Sequence, residues 1–81
     1  MTTDQIKDLV LRAIGDIAPE ADLEDIDPDE ELREQLDIDS MDFLNIVTVI
    51  HEETGIDIPE ADYPKIASLN QCVTYLQAKT R

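Results

Sequence analysis

Cysteine and histidine are almost missing from the 81-residue chain, which contains one of each, Cys72 and His51. A single cysteine cannot form an internal disulfide, and the pair cannot complete a Cys/His zinc site. Long apolar runs are also missing, and residues 1–4 have neither the basic nor the apolar region of a signal peptide. The sequence therefore predicts one small domain over residues 1–81 in the cytoplasm, with no metal site and no membrane insertion.

Basic residues are scarce as well. Six lysines and arginines stand against twenty aspartates and glutamates, so the formal net charge is -14. A charge of this sign and size repels nucleic-acid phosphates and anionic membrane surfaces. The composition excludes DNA binding, RNA binding and a polybasic membrane role.

The acidic residues include one pattern that partly resembles a calcium-binding loop. Asp25, Asp27 and Asp29 match the first, third and fifth positions of an EF-hand. Glu30 stands where that loop needs glycine, and Leu36 stands where it needs a bidentate glutamate. The pattern therefore predicts no dedicated calcium site.

No residue pair in the chain has the spacing of a catalytic dyad. Ser40 and His51 are eleven residues apart on one predicted helix, which separates them by roughly 16 Å at about 1.5 Å per residue. Nucleophilic catalysis needs the serine and its base within hydrogen-bond reach. Cys72 falls on the apolar stripe of the last predicted helix, so we expect it in the core.

Apolar residues recur at helical spacing in several segments, and no segment alternates as a strand does. The fold class is therefore all-α: a small helical bundle of three main helices plus one short helix, with a long loop between the first two main helices. Capping patterns and breakers set the boundaries. The first helix follows a cap at Thr2 or Thr3 and runs from about Asp4 to Asp16, and the loop covers Ala18 to Asp39 with a helical turn near Glu30–Gln35. The second main helix starts at Asp39 or Ser40 and stops at Gly55. The short helix covers Ala61–Ala67, and the last helix opens with a Ser68–Gln71 capping box and ends near Lys79.

Ser40 is the residue most open to a chemical role. It begins a strongly apolar helix behind an acidic loop, between Asp39 and Asp42. A phosphodiester at that position would lie at the positive end of the helix dipole, although the two aspartates partly oppose this benefit. The competing interpretation is that Ser40 only caps the helix. The local sequence leaves both interpretations open.

The arrangement of motifs resembles the acyl carrier proteins. The resemblance rests on residues 36–42 with sequence LDIDSMD, the apolar helix that follows, Glu52 and Glu53, and residues 56–59 with sequence IDIP. It extends over nearly the whole chain. It implies that a phosphopantetheinyl transferase, using coenzyme A and magnesium, attaches 4'-phosphopantetheine to Ser40 within the motif that Asp39 and Met41 complete. The protein would then carry acyl groups as thioesters and would not be an enzyme.

The resemblance also implies two further groups of site residues. The face of the second main helix next to Ser40 would dock onto basic patches of the transferase, of acyl- or aminoacyl-loading enzymes and of synthases, with the carrier acting as a monomer. The positions on or near that face are Asp39, Asp42, Phe43, Asn45, Glu52 and Glu53. Candidates to line an acyl-chain cavity between the helices are Leu44, Val47, Ile50, Ile66 and Val73, for which ordinary core packing is the alternative.

Some positions depart from the pattern common in fatty-acid carriers. Asp37 stands where those carriers usually have glycine, and Asn45 stands where they usually have an acid. Phe43 is bulkier than the residue usual at its position, and His51 replaces a frequent acid. These departures favour a carrier dedicated to a specialised pathway, such as polyketide, modified lipid or aminoacyl chemistry. The alternatives are an aminoacyl or peptidyl carrier, and an acidic helical interaction module without a prosthetic group.

Overall fold

The computed structural model describes residues 2–80, which fold into α-helices joined by ordered connections. These residues contain no β-strand, and only one isolated bridge, between Glu31 and Ser68. The elements are α1 (Thr3–Ile17), α2 (Leu32–Gln35), α3 (Ser40–Thr54), a 3₁₀ helix (Glu60–Ile66) and α4 (Leu69–Lys79). The predicted all-α bundle is confirmed. The short helix is a 3₁₀ helix that begins one residue earlier than predicted, because it follows directly on Pro59.

The helix ends have the predicted capping groups. The Thr2 side chain accepts a hydrogen bond from the Gln5 backbone N–H, and the Gln5 side chain accepts one from the Thr2 N–H. Ser68 and Gln71 form the same reciprocal pair at the start of α4. Gly55 ends α3 in the left-handed conformation, with φ of 71°. Such pairs satisfy backbone donors that the first turn of a helix leaves free.

The core lies between α1, α3 and α4, which each place one apolar face inward. Members from α1 and α3 are Ile6, Leu9, Val10, Ala13, Ile14, Phe43, Ile46, Val47 and Ile50, and the remaining members are Leu32, Ile66, Leu69, Cys72, Val73 and Leu76. Burial raises the pKa of the Cys72 thiol to about 12. The thiol is therefore protonated at neutral pH, and the predicted core position of Cys72 is confirmed.

The long connection between α1 and α3 is held against the start of α4. The Leu32 side chain is 1% exposed in the core, and its backbone N–H donates to the Ala67 carbonyl at 2.9 Å. The Asn70 N–H donates to the Pro28 carbonyl at 2.9 Å, and the Asn70 side-chain amide donates to Asp29 at 2.7 Å. These contacts fix the segment that leads into α3.

Candidate functional site

Ser40 is the first residue of α3, and its side chain is exposed. The residue before it, Asp39, is the N-cap: its Oδ1 atom accepts a hydrogen bond from the Asp42 backbone N–H at 2.9 Å. The Asp39 carbonyl accepts from the Phe43 N–H at 3.1 Å. Within residues 2–80, no protein group hydrogen-bonds the Ser40 hydroxyl. The capping role that Ser40 could have had belongs to Asp39.

The other serine of the chain, Ser68, provides a direct comparison. Ser68 is 5% exposed, and its hydroxyl oxygen accepts from the Gln71 N–H at 3.2 Å as the cap of α4. One serine is therefore buried and occupied in capping a helix, whereas Ser40 presents its oxygen to solvent. Of the two serines, only Ser40 has a hydroxyl that a modifying enzyme can reach.

A tight turn brings the chain from α2 to Ser40. The Ile38 N–H donates to the Arg33 carbonyl at 3.2 Å, and the Asp37 N–H donates to the Glu34 carbonyl at 3.4 Å. Asp37 has φ of 53°, in the left-handed region that favours glycine. Glycine adopts such a φ without strain, whereas Asp37 adopts it at a cost in backbone energy.

A groove of about 670 Å³ opens beside Ser40, between α3 and the 3₁₀ helix. Two large apolar side chains next to Ser40, Met41 and Leu44, are 70% and 46% exposed. The residues that line the groove are Glu31, Arg33, Ser40, Met41, Phe43, Leu44, Glu60, Tyr63, Pro64 and Ala67. A chain attached to Ser40 therefore starts at the rim of a largely apolar groove with charged groups around it.

Comparison with known proteins shows the family of the chain. Residues 4–76 match the family model described as the phosphopantetheine attachment site. The acyl carrier protein of Campylobacter hominis is 30% identical over 74 residues, covering 91% of this chain and 87% of the relative. The chain belongs to the acyl carrier protein family. The acyl carrier protein of Clostridium acetobutylicum is 28% identical over 80 residues, covering 99% of this chain and 97% of the relative.

The prosthetic group of this family is 4'-phosphopantetheine, and acyl carrier proteins are carriers rather than catalysts. The residues at the start of α3 fit such a group. The Ser40 hydroxyl is exposed and has no hydrogen-bond partner among residues 2–80, and the groove next to it has room for a flexible arm. Among residues 2–80, no three His, Cys, Asp or Glu side chains group so as to hold a metal ion.

Most of the predicted docking residues lie on the exposed surface of this carrier. Asp39, Asn45, Glu52 and Glu53 are exposed, and Asp42 is half-buried. In the described part of the chain, no lysine or arginine forms an ion pair with these acids, since the ion pairs there are Lys65–Asp62 and His51–Asp57. The acids of α3 therefore keep their charge uncompensated.

Phe43 does not fit the predicted docking face. Its side chain is 7% exposed, and its ring meets the Tyr63 ring edge to face at a centroid distance of 5.9 Å. Only a small part of the ring reaches the groove, so the structure does not favour a docking role for Phe43. Its helical spacing with the buried Ile46, Val47 and Ile50 places it on the inner face of α3.

The predicted cavity residues fall into two places. Val47, Ile50, Ile66 and Val73 are all buried in the core, and none of them lines the groove. Leu44 lies outside that core and lines the groove instead. The grouping of Leu44 with an interior cavity is therefore corrected: its side chain points to the surface beside Ser40.

His51 lies near the end of α3 opposite to Ser40. Its Nδ1 atom is 2.9 Å from the Ile56 carbonyl and 3.6 Å from Asp57 Oδ1, so the ring connects the end of α3 to the next segment.

No helix within residues 2–80 is long and apolar enough to cross a membrane. Sequence reasoning missed Arg33, Glu60 and Tyr63 as groove residues, since they come from two segments far apart in the chain and have no common local pattern.

Proposed function

We propose that Ser40 is the attachment point of 4'-phosphopantetheine and that the carrier delivers acyl thioesters to the enzymes of a specialised biosynthetic pathway. The supporting observation is the free, exposed Ser40 hydroxyl at the start of α3. In the loading reaction the Ser40 oxygen forms a bond to phosphorus, the bond to the adenosine bisphosphate part of coenzyme A breaks, and the serine proton leaves to a base of the transferase. Magnesium bound in the transferase would neutralise charge on the pyrophosphate of coenzyme A.

The charge around Ser40 acts on the phosphodiester in both directions. The free N–H groups and the dipole of α3 favour an anion at its first turn. Asp39 and Asp42 oppose it, whereas Arg33 brings a positive charge to the same groove. Coulomb interactions between exposed groups are weak in water, so the phosphate is tolerated near the two aspartates.

We further propose that the exposed acids of α3 guide the carrier to basic patches on the transferase and on the pathway enzymes. Asp39, Glu52 and Glu53 have no lysine or arginine partner in the described part of the chain. Complementary charge raises the rate of encounter and sets orientation more than it raises affinity. Tethering then raises the effective concentration of the cargo at the partner's active site.

The test is the intact mass of the protein before and after incubation with coenzyme A, magnesium and a promiscuous phosphopantetheinyl transferase. We expect a gain of one phosphopantetheine, which is absent in Ser40→Ala. Ser68→Ala removes the only other serine and should still gain the group; because Ser68 caps α4, circular dichroism first verifies that this control folds. No gain in the wild-type chain with several transferases, or a gain that persists in Ser40→Ala, would contradict the proposal.

A second candidate function is an acidic interaction module that binds a basic partner without a prosthetic group. The uncompensated acids of α3 favour it as much as they favour a carrier. The two candidates differ in what Ser40→Ala does: a module keeps its partner and its function, whereas a carrier keeps its fold and loses its function. An aminoacyl or peptidyl carrier would behave as an acyl carrier in the mass test and differ only in its cargo.

A further inference from the structure

We propose that Arg33 binds the phosphate of the arm attached at Ser40 and so holds the first part of that arm beside α2. The proposal rests on the proposed attachment at Ser40 and assigns a second residue to the prosthetic group. Three observations support it: the place of Arg33 in the groove, its lack of an ion pair in the described part of the chain, and the turn that joins it to Ser40.

Arg33 is the positively charged residue of the groove that opens beside Ser40. Among the described residues that line this groove, Glu31 and Glu60 are acidic, Arg33 is basic and the others are uncharged. Arg33 and Ser40 are both exposed. A phosphodiester on the Ser40 oxygen would therefore share the groove with one cation, and its negative charge favours that cation as a partner.

The guanidinium of Arg33 forms no ion pair within residues 2–80, although Glu31 and Glu60 line the same groove. The lysines of the 3₁₀ helix and α4 have contacts elsewhere. Lys65 is 3.5 Å from a carboxylate of its own helix, and Lys79 lies over a tyrosine ring at 5.5 Å from the centroid. The Arg33 donors therefore remain available to a phosphate.

The backbone keeps Arg33 close to the start of α3. The Arg33 carbonyl accepts from the Ile38 N–H at 3.2 Å, and Ser40 follows Ile38 by two residues, at most about 7 Å of extended chain. The neighbouring Leu32 is 1% exposed, and its N–H donates to the Ala67 carbonyl at 2.9 Å, so α2 is fixed to the core. The base of the Arg33 side chain is therefore held near Ser40.

Arginine matches a phosphodiester in both charge and shape. Its planar guanidinium presents N–H donors in a fork that can bind two phosphate oxygens at once. Asp39 and Asp42 at the start of α3 repel an anion on Ser40, and the Asp39 carboxylate already accepts from the Asp42 N–H. The helix terminus is therefore a weaker anion site than usual, and Arg33 supplies positive charge that compensates for the two aspartates.

The experiment measures how loading changes the thermal stability of the wild-type protein and of Arg33→Gln. An excess of a promiscuous transferase loads each protein from coenzyme A, and intact mass verifies the product. The quantity compared is the Tm of the loaded form minus the Tm of the unloaded form, at low ionic strength. We expect this difference to be lower in Arg33→Gln than in the wild-type protein by roughly 1–5 °C, as for one exposed charge pair. A contribution of Arg33 to the fold alone changes both forms equally and cancels.

Arg12→Gln is the matched control. Arg12 is an exposed arginine of α1 that does not line the groove, so its removal changes the net charge equally. Its difference in Tm on loading should equal that of the wild-type protein. Arg33→Lys keeps the charge without the planar fork and should fall between the wild-type protein and Arg33→Gln. High salt should reduce the differences between the variants, because it screens exposed charges.

NMR of the wild-type protein provides a second measurement. The side-chain Nε–H resonance of Arg33 should shift on loading, whereas that of Arg12 should not. Where Arg33→Gln is not loaded, this resonance decides alone. Equal differences in Tm for the wild-type protein and Arg33→Gln, or an Arg33 resonance that loading leaves unchanged, would overturn the proposal and leave attachment at Ser40 standing. Failure of the wild-type protein to gain the group would refute both.

Discussion

Replacing Asp39 and Ser40 one at a time by alanine tests the division of roles at the start of α3. Asp39→Ala removes the side chain that accepts from the Asp42 N–H at 2.9 Å. Loss of an N-cap costs about 1 kcal/mol, within a range of about 0.5–2. Loss of a negative charge at the helix N-terminus adds about 0.3–1 kcal/mol, which relief of repulsion in a chain of net charge -14 partly offsets.

The expected effect of Asp39→Ala is therefore a loss of about 1 kcal/mol, or about 4–8 °C in Tm for a domain of this size. Ser40→Ala should change the free energy of unfolding by less than about 0.5 kcal/mol, since the hydroxyl has no partner in the described part of the chain and alanine is the better helix former. Urea unfolding followed by far-UV circular dichroism measures both differences.

Asp39→Asn is the matched control for Asp39→Ala. Asparagine caps a helix about as well as aspartate, so this variant removes the charge while keeping the capping bond. Its stability should lie close to that of the wild-type protein. A loss in Ser40→Ala as large as that in Asp39→Ala would mean that the serine is the cap, and the argument from its free hydroxyl would fail.

Two other changes test particular contacts. Asp37→Gly should stabilise the protein by up to about 1 kcal/mol in urea unfolding, because glycine adopts φ of 53° without strain, although the freer unfolded chain offsets part of the gain; a clear loss would contradict the assigned turn. Tyr75→Phe should lower the Tm at neutral pH, since the Tyr75 hydrogen bond, chiefly, lowers the pKa of Asp62 and the same bond raises the pKa of Tyr75 to about 12. Stability from the lowered Asp62 pKa is present above the ordinary aspartate pKa and is lost as pH falls through the lowered value. Stability from the raised Tyr75 pKa is lost as pH rises towards 12, so the difference in Tm between the two proteins should shrink at both extremes of pH. A difference that does not vary with pH would contradict the role of this hydrogen bond.

Local patterns in the sequence predict the helices and their ends well. The Ser68–Gln71 box and Gly55 depend on residues within one turn of each other, so the sequence contains the information that places them. The turn near Glu30–Gln35 was also predictable, and α2 spans Leu32–Gln35. The hydrogen bond from Leu32 of α2 to Ala67, and those from Asn70 to Pro28 and Asp29, were not predictable, because they join segments more than thirty residues apart in the chain.

Assigning faces on α3 is where sequence reasoning meets its limit. The buried residues Phe43, Ile46, Val47 and Ile50 do follow the spacing of one helix face, but other apolar residues around the helix obscure that spacing in the sequence. Phe43 is enclosed by Tyr63 from the 3₁₀ helix, whereas its neighbour Leu44 is left on the surface. Phe43 lies on the same face of α3 as the buried Ile46, Val47 and Ile50, and the 3₁₀ helix, which α4 contacts, covers its ring.

The two serines show how folding and chemistry are kept apart in this carrier. Ser68 gives its hydroxyl to the cap of α4, so changing it affects the fold. At the start of α3 the cap is supplied one residue earlier, by Asp39, and the Ser40 oxygen remains available. A group attached to that oxygen therefore displaces no bond on which the helix depends. Attachment of the arm at Ser40, as proposed, would therefore leave α3 intact.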